Sequence, residues 1–327
     1  FDVSLHRFGF SRPNLGRVMI QLEAVTKLYG TVIGVNEISL TLEPGNYGLL
    51  GPNGSGKTTL INLLMGQLRP TIGSVRVFGI DPSRRDRVLR RVGLCPASDL
   101  LIPNVSALDW VSYQVELYGF SRADALQRAT EALTVVGMAH AMHRVIGSYS
   151  LGMRQRTKLA QAIAHEPDLV ILDEPFNGLD PIGRHEMTQL LKEWHGRGRS
   201  ILLASHVLHE IEAIRPSFLL ISGGRLLASG SPGEVRRLLV DLPNEIELEL
   251  DQPRKAASLI CEYMEIDTVR IIADDRMMIV TRQPQSLFDF LPRLVNEHGL
   301  KIRQIHTRDE SLQDLFTTLM RRHRGEL

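Results

Sequence analysis

Residues whose types and spacing suit chemistry cluster at a few points along the 327-residue chain. Gly51 to Thr59 reads GPNGSGKTT, with Gly51, Gly56, Lys57 and Thr58 on the fixed positions of G-x-x-x-x-G-K-[ST]. Phosphate oxygens need converging N–H donors and positive charge. A glycine loop that runs into a helix supplies both, since its amides point inward and the helix N-terminus is partly positive. Pro52, Asn53, Gly54, Ser55 and Thr59 complete the expected cradle. Gly54 and Gly56 keep side chains out of the close backbone approach. Lys57 is expected to reach the β- and γ-phosphates, and the Thr58 hydroxyl to ligate Mg²⁺. Asp173-Glu174 follows an apolar run, at the strand edge where open α/β sheets bind ligands. Asp173 suits holding Mg²⁺, and Glu174 suits orienting and polarising an attacking water. Ser150 and Gly152 stand at a helix start, where a hydroxyl and an N–H suit an anion. His206 follows another apolar run.

The elements that must position these groups are legible around them. Tyr47, Leu49 and Leu50 end a buried strand before the loop, and Leu60, Ile61, Leu63 and Leu64 share a helical face after it. Strand, glycine loop and helix is the context a phosphate site requires. Leu169–Leu172 reads as a central parallel strand buried on both faces. Ile20, Leu22 and Val25 form one strand, and Ile38, Leu40 and Leu42 another, with a turn at Tyr29-Gly30. Tyr29 on its local sequence is a turn aromatic packed on the sheet. Further strands are expected at Gly73–Phe78 and Val92–Leu94, flanking a basic helix at Ser83–Arg91 whose arginines read as a solvated face. Ser106 and Ser121 read as N-caps of two amphipathic helices, with Gly137 as a stop. Helices are expected at Leu151–His165, Gly183–Trp194 and His206–Ile214, a strand at Ile201–Ala204, and a Gly223-Gly224 hairpin between Phe218–Ile221 and Arg225–Ala228.

Beyond a boundary near residue 240, the order is βαββαβ followed by a helix at Ser311–Arg321, the ferredoxin-like pattern. Three domains of interest result: an unassigned lead at 1–18, with Met19 as a candidate start; a nucleotide-binding domain at 19–239; and a small accessory domain at 240–327. The net charge of +1, from 38 basic and 37 acidic residues, gives no general drive toward nucleic acid, and none is expected as a partner. Cys95 and Cys261 make no disulfide framework or zinc spacing, and a reducing compartment is expected. His140 and His143 lack a nearby third ligand, so a metal site there is not expected. Apolar runs are strand length, short of the ~20 residues a spanning helix needs.

Tyr149 to Gln155, YSLGMRQ, resembles the signature of the ATP-binding cassette (ABC) ATPases, usually LSGGQ with YS-x-GM-x-QR as a common variant. Asn177-Gly178-Leu179-Asp180-Pro181 resembles their D-loop, and His206 the switch histidine that contacts the γ-phosphate. Tyr29 then matches the aromatic that stacks on adenine. The resemblance spans about 20–235. It implies a P-loop NTPase fold: a RecA-like α/β core, an N-terminal antiparallel β-sheet, and a helical subdomain at about 97–160. It implies hydrolysis of ATP to ADP and phosphate, with Mg²⁺, and Lys57, Glu174 and His206 as catalytic groups. It also implies a head-to-tail pair of cassettes, with Ser150, Gly152 and Asp180 at the composite site, supplied by a homodimer or a paralogue. The power would pass to a separate transmembrane permease subunit, contacted through the helical subdomain and Ala97–Asn104, with the chain peripheral on the cytoplasmic face. Residues 309–319 resemble the closing helix of cassettes serving drug, lipid and polysaccharide exporters.

One position departs from that family pattern. The glutamine expected after Leu94-Cys95-Pro96 is Ala97, followed by Ser98 and Asp99. Alanine has no oxygen to offer Mg²⁺, so water, Ser98 or Asp99 is expected to substitute. Two rival functions follow from the resemblance. One is an ABC ATPase acting away from transport, as on ribosomes. The other is a poorly hydrolysing regulatory cassette, motivated by Ala97.

Overall fold

The computed structural model describes residues 18–214, 217–231 and 244–307. The lead before residue 18, the expected boundary near 240, the Ser311–Arg321 helix and the exporter-like stretch 309–319 lie outside the described residues. The chain divides into two compact units between Ser231 and Pro232.

In the first unit, strands β1 (Ile20–Tyr29), β2 (Val32–Leu42) and β4 (Ile72–Val77) form a three-stranded antiparallel sheet in the order β2-β1-β4. The larger sheet has the order β5-β6-β7-β3-β8-β9, from Val92–Cys95, Leu169–Asp173, Ser200–Ser205, Asn46–Leu50, Ser217–Ser222 and Arg225–Gly230. Its first five strands are parallel, and β9 returns antiparallel through Gly223-Gly224, both at positive φ. The loop of interest leaves β3, a central strand, and enters helix α1 (Lys57–Leu64).

Helix α1 is apolar on more than one face for a physical reason. Its Leu60, Ile61, Leu63 and Leu64 share one buried cluster with Val25, Val35 and Ile38 of the small sheet. The same cluster holds Leu169 and Ile171 of β6, Leu202 and Ala204 of β7, and Leu219 and Ile221 of β8. Those are alternate residues, so one face of the large sheet covers α1 while the small sheet covers the other side. Burial on both sides fixes the start of α1 relative to the ends of β3 and β6.

The remaining helices are α2 (Arg85–Leu89), α3 (Ala107–Leu117), α4 (Arg122–Val135), α5 (Leu151–Ile163), α6 (Pro181–Gly196) and α7 (Leu208–Glu212). Ser106, Ser121 and Ser150 each cap a helix, accepting from Asp109, Asp124 and Met153 N–H groups. The basic helix is shorter than the Ser83–Arg91 expected. Arg91 stands beyond it, with its guanidinium over the Phe78 ring and its Nε 2.7 Å from Asp168. It is a tie between strands rather than a solvated group.

His165, just past α5, stacks on Tyr118 at 3.9 Å, and burial lowers its pKa to about 4. The sign follows from linkage. Above pH 6.5 both folded and unfolded forms are neutral and stability is full. As pH falls from 6.5 toward 4, the unfolded chain takes the proton first and stability declines, by about 1.4 kcal/mol per pH unit. Urea unfolding is therefore expected to show roughly 2 kcal/mol lost between pH 6.5 and 5, a loss that His165→Phe removes.

The second unit carries β10 (Asn244–Leu250), α8 (Pro253–Tyr263), β11 (Thr268–Ala273), β12 (Arg276–Thr281), α9 (Pro284–Asn296) and β13 (Ile302–Thr307). Its antiparallel sheet runs β11-β12-β10-β13, which is the split βαβ arrangement. Ile246, Leu248 and Leu250 alternate inward against Ile260, Leu287 and Leu294 of the two helices.

Candidate nucleotide site

The loop between β3 and α1 closes on itself through its lysine. Lys57 is 6% exposed, and its Nζ donates to the Gly51 carbonyl at 2.7 Å and the Pro52 carbonyl at 3.2 Å. Two positions demand glycine. Gly56 has φ +106, and a Cβ there would lie 2.5 Å from the Gly34 carbonyl. A Cβ at Gly51 would collide with the Ile221 carbonyl of β8. Ser55 holds the loop to the β8–β9 turn, its carbonyl accepting from Gly224 N–H at 2.9 Å, while its buried Oγ has no partner.

Parallel pairing of β6 with β7 brings the acidic pair and His206 to the same edge as the loop. Thr58 Oγ1 donates to Asp173 Oδ2 at 3.1 Å, and Lys57 Nζ lies 3.8 Å from Glu174 Oε1. Burial raises the Asp173 pKa, opposed by the Thr58 hydroxyl. Burial lowers the Lys57 pKa, opposed by Glu174 and Asp173. Glu174 adopts φ +51, a strained backbone for a residue with a side chain. That geometry is held by its own partners. Glu174 N–H donates to the Ala204 carbonyl, and His206 N–H donates to Glu174 Oε1 at 3.1 Å. His206 Nδ1 stands 3.0 Å from both Glu174 oxygens.

Sequence reasoning missed a further layer behind Glu174. Ser205 Oγ lies 3.3 Å from Glu174 Oε2 and 2.8 Å from Glu210 Oε2, and Arg184 of α6 binds the other Glu210 oxygen at 2.6 Å. A hydroxyl has one proton to give, and the shorter contact directs it to Glu210. The only sequence signal was a carboxylate on the inward face of a short helix, which spacing alone does not interpret.

Tyr29 is half-exposed, with its Oη 3.5 Å from Thr59 Oγ1, so its ring stands beside the first turn of α1. Ser150 and Gly152 are placed differently. Ser150 is exposed at the start of α5 and shares no hydrogen bond with Lys57, Asp173 or Glu174. Instead the signature stretch packs on the Asn177–Pro181 loop, where a Cβ at Gly178 would collide with Leu151. The Asp180 carboxylate caps α6, accepting from Gly183 N–H at 2.7 Å.

Ala97, Ser98 and Asp99 are exposed, and the Asp99 carboxylate pairs with Arg154 at 2.7 Å. Among the described residues no cluster of three or more His, Cys, Asp or Glu is arranged to hold a metal. The Thr58 hydroxyl and Asp173 carboxylate are hard oxygen donors in contact, and they fit Mg²⁺ carried in with a phosphate ligand.

The fold and this site define a P-loop nucleotide-binding protein. The profile described as ABC transporter matches residues 35–177. Over 92% of this chain and 97% of its own length, a bacitracin transport ATP-binding protein from Bacillus licheniformis is 31% identical. A Nod factor export ATP-binding protein from Cupriavidus pinatubonensis is 32% identical, over 92% of this chain and 90% of its own. A solved dimeric cassette in a post-hydrolysis state with ADP and Pi shares the fold, with TM-score 0.61 and 23% identity over 65% of this chain and 98% of its own. The chain belongs to the ABC transporter ATP-binding family. It is an ATP-binding and hydrolysing subunit, an ATPase, and no helix among the described residues is long and apolar enough to cross a membrane.

Proposed function

We propose that the chain powers export through a separate transmembrane permease subunit, using ATP bound between two copies of itself. The observation that carries the site assignment is the convergence of Thr58 on Asp173 and of Lys57 and His206 on Glu174. Lys57 and the Gly51–Thr59 amides bind and orient the phosphates. Thr58 and Asp173 hold Mg²⁺, which when bound neutralises charge on the transferring phosphoryl group. Glu174 orients the attacking water and accepts its proton, and His206 fixes the Glu174 carboxylate and faces the γ-phosphate. Tyr29 stacks on the adenine.

Ser150, exposed at the start of α5, and the half-buried Gly152 cover the ATP of the second copy, with Asp180 nearby in the same interface. Their separation from the chain's own catalytic contacts supports this assignment. Exposed apolar residues support the docking face. Leu100 and Ile102 precede α3, and Tyr113 and Leu117 lie one turn apart on it, all exposed. A membrane subunit seated there holds the chain on the cytoplasmic face. Export as the direction is supported by the relative named for Nod factor export.

The test is phosphate release by the purified chain. Mg²⁺-dependent hydrolysis is expected, abolished by EDTA, with Ala97→Gln changing the rate less than about tenfold, one decade being ~1.4 kcal/mol of barrier. No hydrolysis in the native chain, with activity appearing only in Ala97→Gln, would contradict the assignment.

A further inference from the structure

Lys158 is a charged residue on the buried face of α5, 5% exposed, within the helix that begins at Ser150. A buried ammonium is costly unless its donors are satisfied. Here Nζ donates to the Pro96 carbonyl at 2.9 Å, the Ala97 carbonyl at 3.2 Å and the Ser98 carbonyl at 3.4 Å. Three N–H donors meet three consecutive backbone acceptors, the full capacity of an ammonium. The carbonyls of 96–98 turn inward to Lys158, while Ala97 and Ser98 themselves are exposed.

The location matters more than the count. The segment leaves β5 at Cys95, whose partner across the sheet is Leu172, the residue before Asp173. It therefore starts beside the carboxylate that contacts Thr58. Nearby Gln155 Nε2 contacts Cys95 Sγ at 3.7 Å, and Arg154 pairs with Asp99, so α5 grips this segment at three points.

We propose that Lys158 is a positioning residue of the nucleotide site: its ammonium locks the 96–98 backbone beside Asp173 to the helix that bears Ser150 and Gly152. The side chain at 97 is too short to organise that segment, and the clamp works on its backbone instead. It also gives a rigid link between the end of β5 and the surface that covers a second copy's ATP. This inference rests on the reading of Thr58 and Asp173 as Mg²⁺ ligands.

The test is Mg²⁺ titration of fluorescent ATP-analogue binding to the full chain, native and Lys158→Met, with melting temperature measured in parallel. Lys158→Met is expected to raise the Mg²⁺ concentration at half-maximal binding at least fivefold and to leave Mg²⁺-free binding within twofold. Lys158→Arg keeps the charge, but its planar fork cannot serve three successive carbonyls alike. It is expected to give a shift of at least twofold, and it decides the matter if Lys158→Met does not fold. A native Mg²⁺ midpoint in the folded variants, with only a lowered melting temperature, would reduce Lys158 to a structural brace and overturn the proposal. Binding by the native chain that ignores Mg²⁺ would instead refute the underlying site reading.

Discussion

Glu174→Gln is expected to lower steady-state ATP hydrolysis by about two to four orders of magnitude, the range general-base catalysis supplies, while ATP still binds. The amide keeps the size and one carbonyl oxygen of the carboxylate, so the His206 N–H retains an acceptor. What it loses is the charge that polarises water and takes its proton. Glu174 is placed for that task by opposing constraints: a left-handed backbone, the Ala204 carbonyl, His206 on both oxygens and Lys57 at 3.8 Å. The backbone bonds to the Ala204 carbonyl and from the His206 N–H do not depend on that charge, so the fold should persist. Phosphate release by the purified variant against native protein, with binding measured by calorimetry, checks both halves. A variant that hydrolyses within threefold of native would remove Glu174 from the chemistry.

Lys57→Ala is expected to cost binding itself, by roughly 10–150-fold in ATP affinity, since one charge-assisted hydrogen bond is worth about 1.5–3 kcal/mol. Without phosphate, the ammonium is occupied by the Gly51 and Pro52 carbonyls and faces Glu174. Its removal leaves two loop carbonyls without their donor and Glu174 without the cation 3.8 Å away. Calorimetric titration with ATP reads the effect directly. Affinity within threefold of native would show that the amides alone carry the phosphates.

The parts of this architecture that were legible in sequence are those set by local physics. Ser106, Ser121 and Ser150 cap helices because a short hydroxyl accepts from the third amide onward, a rule that acts within one turn. Leu169–Leu172 reads as a central strand because both of its faces are buried, leaving no polar alternation. The loop at Gly51–Thr59 carries its own geometry in its glycines. What spacing did not yield is contact between distant segments. Lys158 sits among Gln155, Leu159 and Ala162 on the buried stripe of α5, and only the fold reveals three carbonyls waiting for it. The Ser205–Glu210–Arg184 chain likewise needs α6 and α7 brought to the end of β7. Arg91 read as a solvated charge because its partners Phe78 and Asp168 belong to other elements.

The central claim is that one chain holds half of each catalytic site and a second copy supplies the rest. The most direct measurement is the mass of Glu174→Gln in solution, by light scattering during size-exclusion chromatography, with and without ATP. The variant holds ATP without consuming it, so any ATP-closed pair should accumulate. A species of twice the 36.7 kDa chain mass is expected with ATP, returning to one chain mass without it. A protein that binds ATP and stays at one chain mass would contradict it.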